Sequence, residues 1–204
     1  MRKLSSKIIS RALLYVRTLD VLIGKEKKTV SSAELADITG LTDVQIRKDI
    51  SSFGKVGTPR VGYDTGELKK TLEDFILHKN VIKVALFGVG NLGTAILKYP
   101  GFGKQRLTIV AAFETNKKKI DKLINGVRVY ALEKAPDILK KSRVDIGVIA
   151  VPSEYSQDAA DLIVASGTKS IVNFAPVTLN VPKEVNIRDI DLSIEFLAAY
   201  CYNQ

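Results

Sequence analysis

Cysteine and histidine are almost absent from this 204-residue chain: it holds one of each, Cys201 and His78. A single cysteine excludes an intramolecular disulfide and fits a reducing, cytoplasmic setting. A single histidine argues against a histidine metal site and against a histidine-dependent hydrolytic triad, so no metal is expected. No apolar run reaches the roughly 18 residues that suggest a membrane span. The basic start, Met1 to Ser10, lacks the apolar stretch and the small-residue cleavage site of a signal peptide. Internal repeats and low-complexity tracts are also missing. What the chain has in quantity is hydrophobic residue, 46%, and positive charge, net +9. The first makes a buried core attainable. The second is unevenly spread: residues 1–63 carry twelve Lys/Arg against six Asp/Glu, residues 64–204 nineteen against sixteen. Such an excess attracts phosphates of nucleic acid or cofactor, although a merely solvated basic surface has the same composition.

The hydrophobic pattern changes near residue 80. Before it the period is helical. Ile9, Ala12, Leu13, Val16, Leu19 and Ile23 fall on one face of a first helix. Ser31 and Glu34 form an S-x-x-E capping box that opens a short helix with Leu35 and Ile38 inward, ended by Gly40. Thr42 and Gln45 make a second box, opening a helix with Ile46, Ile50 and Phe53 on one face and Gly54 at its end. Two short helices across a tight glycine-containing turn are the helix-turn-helix layout. The stretch Lys55–Tyr63, with Pro59, Gly57 and Gly62, reads as a wing between short extended pieces. Leu68, Leu72, Phe75 and Ile76 then mark a helix that links the two parts of the chain.

From Val81 the pattern alternates strand and helix. Val81–Phe87, Thr108–Phe113, Val144–Val151 and Ser170–Phe174 are near-continuous apolar runs, as strands buried on both faces require. Arg128–Tyr130 and Val185–Arg188 are shorter candidates, and helices are expected over Leu92–Leu97, Lys117–Leu123, Leu132–Lys141 and Glu154–Ser166. The alternation implies α/β architecture with a doubly wound parallel sheet. The tail from Asp191 is apolar and aromatic and reads as a helix that must bury itself; Cys201 within it is expected to be a buried, inert thiol.

Gly88-Val89-Gly90-Asn91-Leu92-Gly93 is a G-x-G-x-x-G motif that follows a strand and opens a helix, the context of a dinucleotide-binding turn. Glu114 ends the next strand 21 residues after Gly93, where an acid hydrogen-bonds adenosine ribose hydroxyls and repels a 2′-phosphate. This favours NADH/NAD⁺ over the phosphorylated form, with Thr115 beside it in the site; Lys117, Lys118 and Lys119 nearby oppose the preference. On the 43–53 helix, Lys48, Ser51 and Ser52, flanked by Gln45 and Arg47, can reach phosphates and base edges, and Arg60 at the wing tip can enter a minor groove. No acid/base residue stands where a dehydrogenase needs one, and no second catalytic domain follows the sheet, so no catalytic residue is assigned. Three readings remain open on these residues: a DNA-binding NAD(H) sensor, an NAD-dependent oxidoreductase with a helical appendage, and a coenzyme A-binding subunit.

Six segments in order resemble the Rex family of bacterial NADH-responsive transcriptional repressors: Gln45–Gly54, Val61-Gly62-Tyr63, Gly88–Gly93, Tyr99-Pro100-Gly101-Phe102, Asn173-Phe174-Ala175-Pro176-Val177 and Asp191-Leu192. The resemblance implies a winged-helix DNA-binding domain with its linker helix over 1–78, a Rossmann domain over 79–188 and a C-terminal helix over 189–204 exchanged between the subunits of a homodimer. It implies an operator that is an inverted repeat, release by NADH, and no enzymatic turnover. It adds Val151, Pro152, Asn173, Phe174, Ala175 and Pro176 to the cofactor site, and a state-dependent network of Arg17, Tyr99 and Asp191. The chain departs from the family pattern at three places. Glu114 replaces an aspartate, Pro59-Arg60-Val61 replaces Arg-Gly-Val in the wing, and Ala150-Val151-Pro152 replaces Thr-Val-Pro.

Overall fold

In the structure, a computed structural model, residues 5–54, 56–58, 61–76, 81–104 and 106–201 are described. The chain divides into two compact units, Met1–Lys79 and Asn80–Gln204.

The first unit contains α1 (Ser6–Gly24), β1 (Thr29–Val30), α2 (Ser32–Thr39), α3 (Asp43–Ser51), β2 (Tyr63–Asp64) and α4 (Thr65–Ile76). The inward face of α1 is Ala12, Tyr15, Val16, Leu19 and Leu22; Ile9, Leu13 and Ile23, expected inside, are exposed. The helical period holds but its phase is rotated: Tyr15, left out of the expected face, is fully buried with its hydroxyl bonded. Both halves of the Ser31–Glu34 capping box form and Gly40 caps α2 in the left-handed conformation. Leu35 is buried, whereas Ile38 lies on the outer face. The second box forms only in part: the Thr42 hydroxyl accepts from the Gln45 N–H, but the Gln45 amide turns to Asp49 instead of returning to the cap. β1 and β2 pair antiparallel, Val30 opposite Tyr63. Two residues carry no readable period, so β1 is invisible in the sequence. Thr58 and Gly62 exchange backbone hydrogen bonds below the wing tip, and Arg60 with Pro59 lies outside the described residues. α4 is more than a link. Leu68 and Leu72 are fully buried with Leu19, Leu35, Ile46 and Ile50, and Phe75 meets Phe53 edge-on at 5.1 Å.

The second unit is a seven-stranded sheet in the order β5-β6-β4-β3-β7-β8-β9. Its members are β3 (Ile82–Phe87), β4 (Leu107–Glu114), β5 (Leu123–Ile124), β6 (Val127–Ala131), β7 (Ile146–Ile149), β8 (Ser170–Asn173) and β9 (Asn186–Asp189). All pairings are parallel except β5 with β6. Alternate residues of the central strands feed two cores. Ala85, Phe87, Ala111 and Phe113 pack with α7 (Ala135–Ser142) and α8 (Ser156–Ala165), while Val84, Leu86 and Ala112 pack with Leu97 of α5 (Asn91–Leu97). A four-residue helix, α6 (Gly101–Lys104), precedes β4. The helix expected over Lys117–Leu123 is absent. Asn116 starts a turn by accepting the Lys118 N–H, the Asp121 N–H donates to Val129, and Asn125-Gly126, both at positive φ, close a β5–β6 hairpin. The last helix, α9 (Leu192–Cys201), buries none of its residues within the chain. Cys201 is exposed rather than buried, since no residue of that helix is buried among the described residues.

Candidate functional site

The outer face of α3 carries Arg47, Lys48 and Ser51, with Ser52 at its C-cap, all exposed. The Arg47 guanidinium pairs with Asp43 one turn earlier, while Lys48 has no ion pair among the described residues. The Ser51 and Ser52 hydroxyls both donate to the Lys48 carbonyl, at 2.8 and 3.0 Å, and each keeps its acceptor capacity outward. Gln45 is half-buried and its amide donates inward to Asp49 at 2.8 Å. Asp49, which the sequence reading passed over, is 2% exposed and bound by Arg11, Tyr15 and Gln45 together. Burial alone would raise its pKa, but the hydrogen bonds from Arg11, Tyr15 and Gln45 hold it below the usual carboxylate range. A cavity of about 450 Å³ lies between α2 and the wing, with Ser31, Ser32, Arg47, Thr58 and Tyr63 in its wall.

In the second unit, a cavity of about 500 Å³ opens where β3, β4 and β7 end. These are the strands at which chain order departs to both sides of β3, the switch point where open α/β sheets take ligands. Of the residues assigned to the cofactor from the sequence, Gly88, Gly90, Glu114, Thr115, Val151 and Pro152 line it; Leu132, Tyr155 and Asp158 line it without having been assigned. Those three carry no motif and reach the cavity only through folding. The three glycines of the motif do different work. Gly88 sits at φ 90°, and a Cβ there would lie 2.4 Å from the Ala150 carbonyl. A Cβ on Gly93 would lie 2.0 Å from the Gly88 carbonyl. A Cβ on Gly90 would meet nothing within 4 Å, and no side chain caps the α5 N-terminus behind it. The loop therefore offers backbone donors to open space at Gly90, Asn91 and Leu92.

Glu114 is held by backbone donors of the glycine loop and of its own turn. Oε2 accepts from the Val89 N–H at 3.0 Å, and Oε1 from the Thr115 and Asn116 N–H groups at 2.7 and 3.0 Å. Lys119 donates to the Val89 carbonyl at 2.7 Å, so one residue of the loop is gripped from both sides. Burial pushes the Glu114 pKa up, but the backbone donors and Lys119 outweigh it and keep the carboxylate ionised. The Val89 side chain itself is core. Asn173 is fully buried: its Nδ2 donates toward Ala175, Val177 and Asp189, and its Oδ1 accepts from Ala175. It shapes the 173–177 turn rather than the cavity wall, and Phe174, Ala175 and Pro176 are likewise outside that wall.

Arg17 is exposed on α1, and Tyr99 is exposed with its ring edge-on to Phe102 at 5.1 Å. Asp191 is half-buried, not buried as its place on an apolar helix suggested. It accepts from the N–H and hydroxyl of Ser193, which caps α9 and lowers its pKa.

Known proteins resemble both units. Residues 3–51 match the family described as putative DNA-binding protein N-terminus, and residues 79–177 the CoA binding domain family. The chain is 40% identical to the redox-sensing transcriptional repressor Rex of Carboxydothermus hydrogenoformans, covering 94% of this chain and 92% of that one. It is 36% identical to the repressor of that name from Desulfitobacterium hafniense, covering 94% and 91%. Two crystal structures of RSP align with the whole chain. One, in complex with beta-NAD⁺ and operator DNA, has TM-score 0.90, 32% identity and 94% coverage of that chain. The other, in complex with beta-NADH, has TM-score 0.88, 33% identity and 96% coverage.

Proposed function

The chain belongs to the Rex family of redox-sensing transcriptional repressors, and from that membership we propose how its own residues bind operator DNA and read NADH against NAD⁺. It is a regulator, not an enzyme. The observation that carries the reading is the Gly88–Gly93 loop, whose middle glycine faces open space beside an ionised Glu114. A pyrophosphate fits that opening: the loop N–H groups donate to it, and Glu114 keeps a free lone pair on Oε2 for a ribose hydroxyl. Thr115, Val151 and Pro152 wall the cavity, and the Asn173–Pro176 turn closes the sheet end beside it. Leu132, Tyr155 and Asp158 extend the site toward the base. NADH and NAD⁺ differ by a hydride at the nicotinamide, in ring charge and pucker.

Arg47, Lys48, Ser51 and Ser52 form the face that enters the major groove, with Arg60 of the wing at the adjacent minor groove, whereas Gln45, expected on that face, turns its amide inward to Asp49. Two such faces in a homodimer read an inverted repeat with half-sites one helical turn or a multiple apart. The exposed apolar residues of α9, Phe196 and Leu197 foremost, are the surface exchanged between subunits. The protein acts in the cytoplasm; among the described residues no helix is long and apolar enough to cross a membrane. NADH must favour the DNA-incompetent arrangement by about 1.4 kcal/mol for each tenfold loss of DNA affinity. Arg17, Tyr99 and Asp191 bias that balance by exchanging partners between the two states.

One titration tests the reading. Operator binding is followed by fluorescence anisotropy with NADH, NAD⁺, NADPH or coenzyme A added separately. Release by NADH alone is expected; release by coenzyme A alone would favour the ligand named by the family that residues 79–177 match. For the network, Asp191→Ala, Tyr99→Phe and Arg17→Ala are assayed for NADH affinity and for DNA affinity with and without NADH. Retained NADH binding with a smaller NADH-driven shift is expected. An undiminished shift in all three leaves Asp191 as the cap of α9.

A further inference from the structure

Asp49 lies on the same helix as the outward cations, yet points the other way. Both its oxygens are saturated: Oδ1 accepts from Arg11 Nη2 and Gln45 Nε2, each at 2.8 Å, and Oδ2 from Arg11 Nε at 2.5 Å and the Tyr15 hydroxyl at 2.8 Å. Arg11 and Tyr15 are one turn apart on α1, so the guanidinium fork and the phenol approach Asp49 from a single helix face. Around them α1 and α3 meet through Ile46 and Ile50, both fully buried. Apolar contact of that kind is non-directional and tolerates a small roll or slide. A planar two-pronged fork on a carboxylate does not, since its hydrogen bonds fix both distance and angle. Buried ion pairs contribute little net stability against apolar replacements of the same volume, and their best-attested use is to select one arrangement.

We propose that Asp49, Arg11 and Tyr15 form a positioning clamp that sets the pose of α3 against α1, and through it operator discrimination, and that Gln45 belongs to this clamp rather than to base readout. The proposal rests on the operator-binding reading above. The clamp faces away from DNA, so its loss leaves Arg47 and Lys48 free to meet phosphates. Base-edge hydrogen bonds, which need angular precision, suffer instead. The expected signature is thus a smaller ratio of specific to non-specific affinity at an unchanged salt dependence.

The test uses the full chain, a duplex selected by the wild-type protein from a random pool, and a scrambled duplex of equal length. Affinities are measured across salt concentrations, with thermal melting as the check on folding. Asp49→Asn is expected to cut the operator-to-scrambled ratio by at least about tenfold, and Tyr15→Phe, which deletes one hydrogen bond, by a few-fold, with scrambled-duplex affinity and salt slope unchanged. Gln45→Ala, put through the same selection, is expected to return the wild-type consensus with a lower ratio. Should Asp49→Asn fail to fold, Tyr15→Phe and Gln45→Ala decide. Folded variants with an undiminished ratio overturn the clamp. So does a Gln45→Ala selection with a changed base at one position of each half-site, the mark of direct readout. A wild-type chain that selects no sequence overturns the operator reading itself, and the clamp with it.

Discussion

The two units offer positive potential to phosphate by different means. On α3 it sits on side chains, Arg47 and Lys48, which project from a helix whose inner face is locked by Ile46, Asp49 and Ile50. At the Gly88–Gly93 loop it sits on backbone N–H groups, and the side chains of charge-bearing type that line the cavity with them, Glu114 and Asp158, are both acidic. Flexible cations act over a Debye length, tolerate a shifting partner and weaken in salt. Backbone donors act only in contact, and they demand that no Cβ stand in the way. Under the proposed function the same chemical group is read loosely along a DNA backbone and tightly in a cofactor site.

Gly90→Ala breaks the comparison most sharply. The added methyl meets nothing in the protein, so folding is expected to survive, while NADH affinity falls at least about 100-fold, or ~2.7 kcal/mol, by calorimetry. Gly93→Ala is its mirror: the methyl meets the Gly88 carbonyl, and melting is expected to show a loss of roughly 1–3 kcal/mol or more. If Gly90→Ala binds NADH as the wild type does, the loop is not the pyrophosphate site.

On the DNA side the loss is smaller and salt-dependent. Lys48→Ala is expected to lower operator and random-DNA affinity alike and to reduce the log–log salt slope by about one. Arg47→Ala is expected to do less, because Asp43 already engages that guanidinium. A double variant that binds both duplexes like the wild type would show that α3 is not the DNA face.

Glu114→Gln sharpens the contrast further. Neutralising the acid is expected to weaken NADH binding several-fold and to narrow its advantage over NADPH, without altering DNA affinity in the absence of cofactor. Equal affinity of the wild-type chain for NADH and NADPH, measured by calorimetry, would remove Glu114 from the selection.

The smallest effect tests the half-formed capping box. Thr42→Ala is expected to cost about 1 kcal/mol by chemical denaturation, the usual loss of a cap. Gln45→Ala is expected to leave the cap intact, because its amide is not part of it. Equal melting of Thr42→Ala and the wild type would show that the cap contributes nothing measurable to α3.

Much of both sites was legible because the signals are local. The glycine motif, the apolar strands, the Ser31–Glu34 box and the cations of α3 each lie within a few residues of sequence. The misses share one cause. The phase of α1 depended on a tyrosine whose hydroxyl is satisfied by a residue 34 positions away. The expected helix at Lys117–Leu123 lost to hairpin pairing with β6, for which Asn125-Gly126 was the available signal. Leu132, Tyr155 and Asp158 reach the cavity from separate connections.

The order of residues along the chain was enough to set the alternation of strand and helix, the glycine turn with its acid, and the gathering of basic residues in the first third. These follow from backbone sterics, hydrophobic period and local capping, which act between near neighbours. Folding alone settled that Asp49 is buried against Arg11 and Tyr15, that Gln45 turns inward to meet it, and that Glu114 grips the loop at Val89. The bonds from Arg11 and Tyr15 to Asp49 and from Val89 to Glu114 join groups 25 to 38 residues apart, and they exist only once hydrophobic packing has brought the helices and strands together.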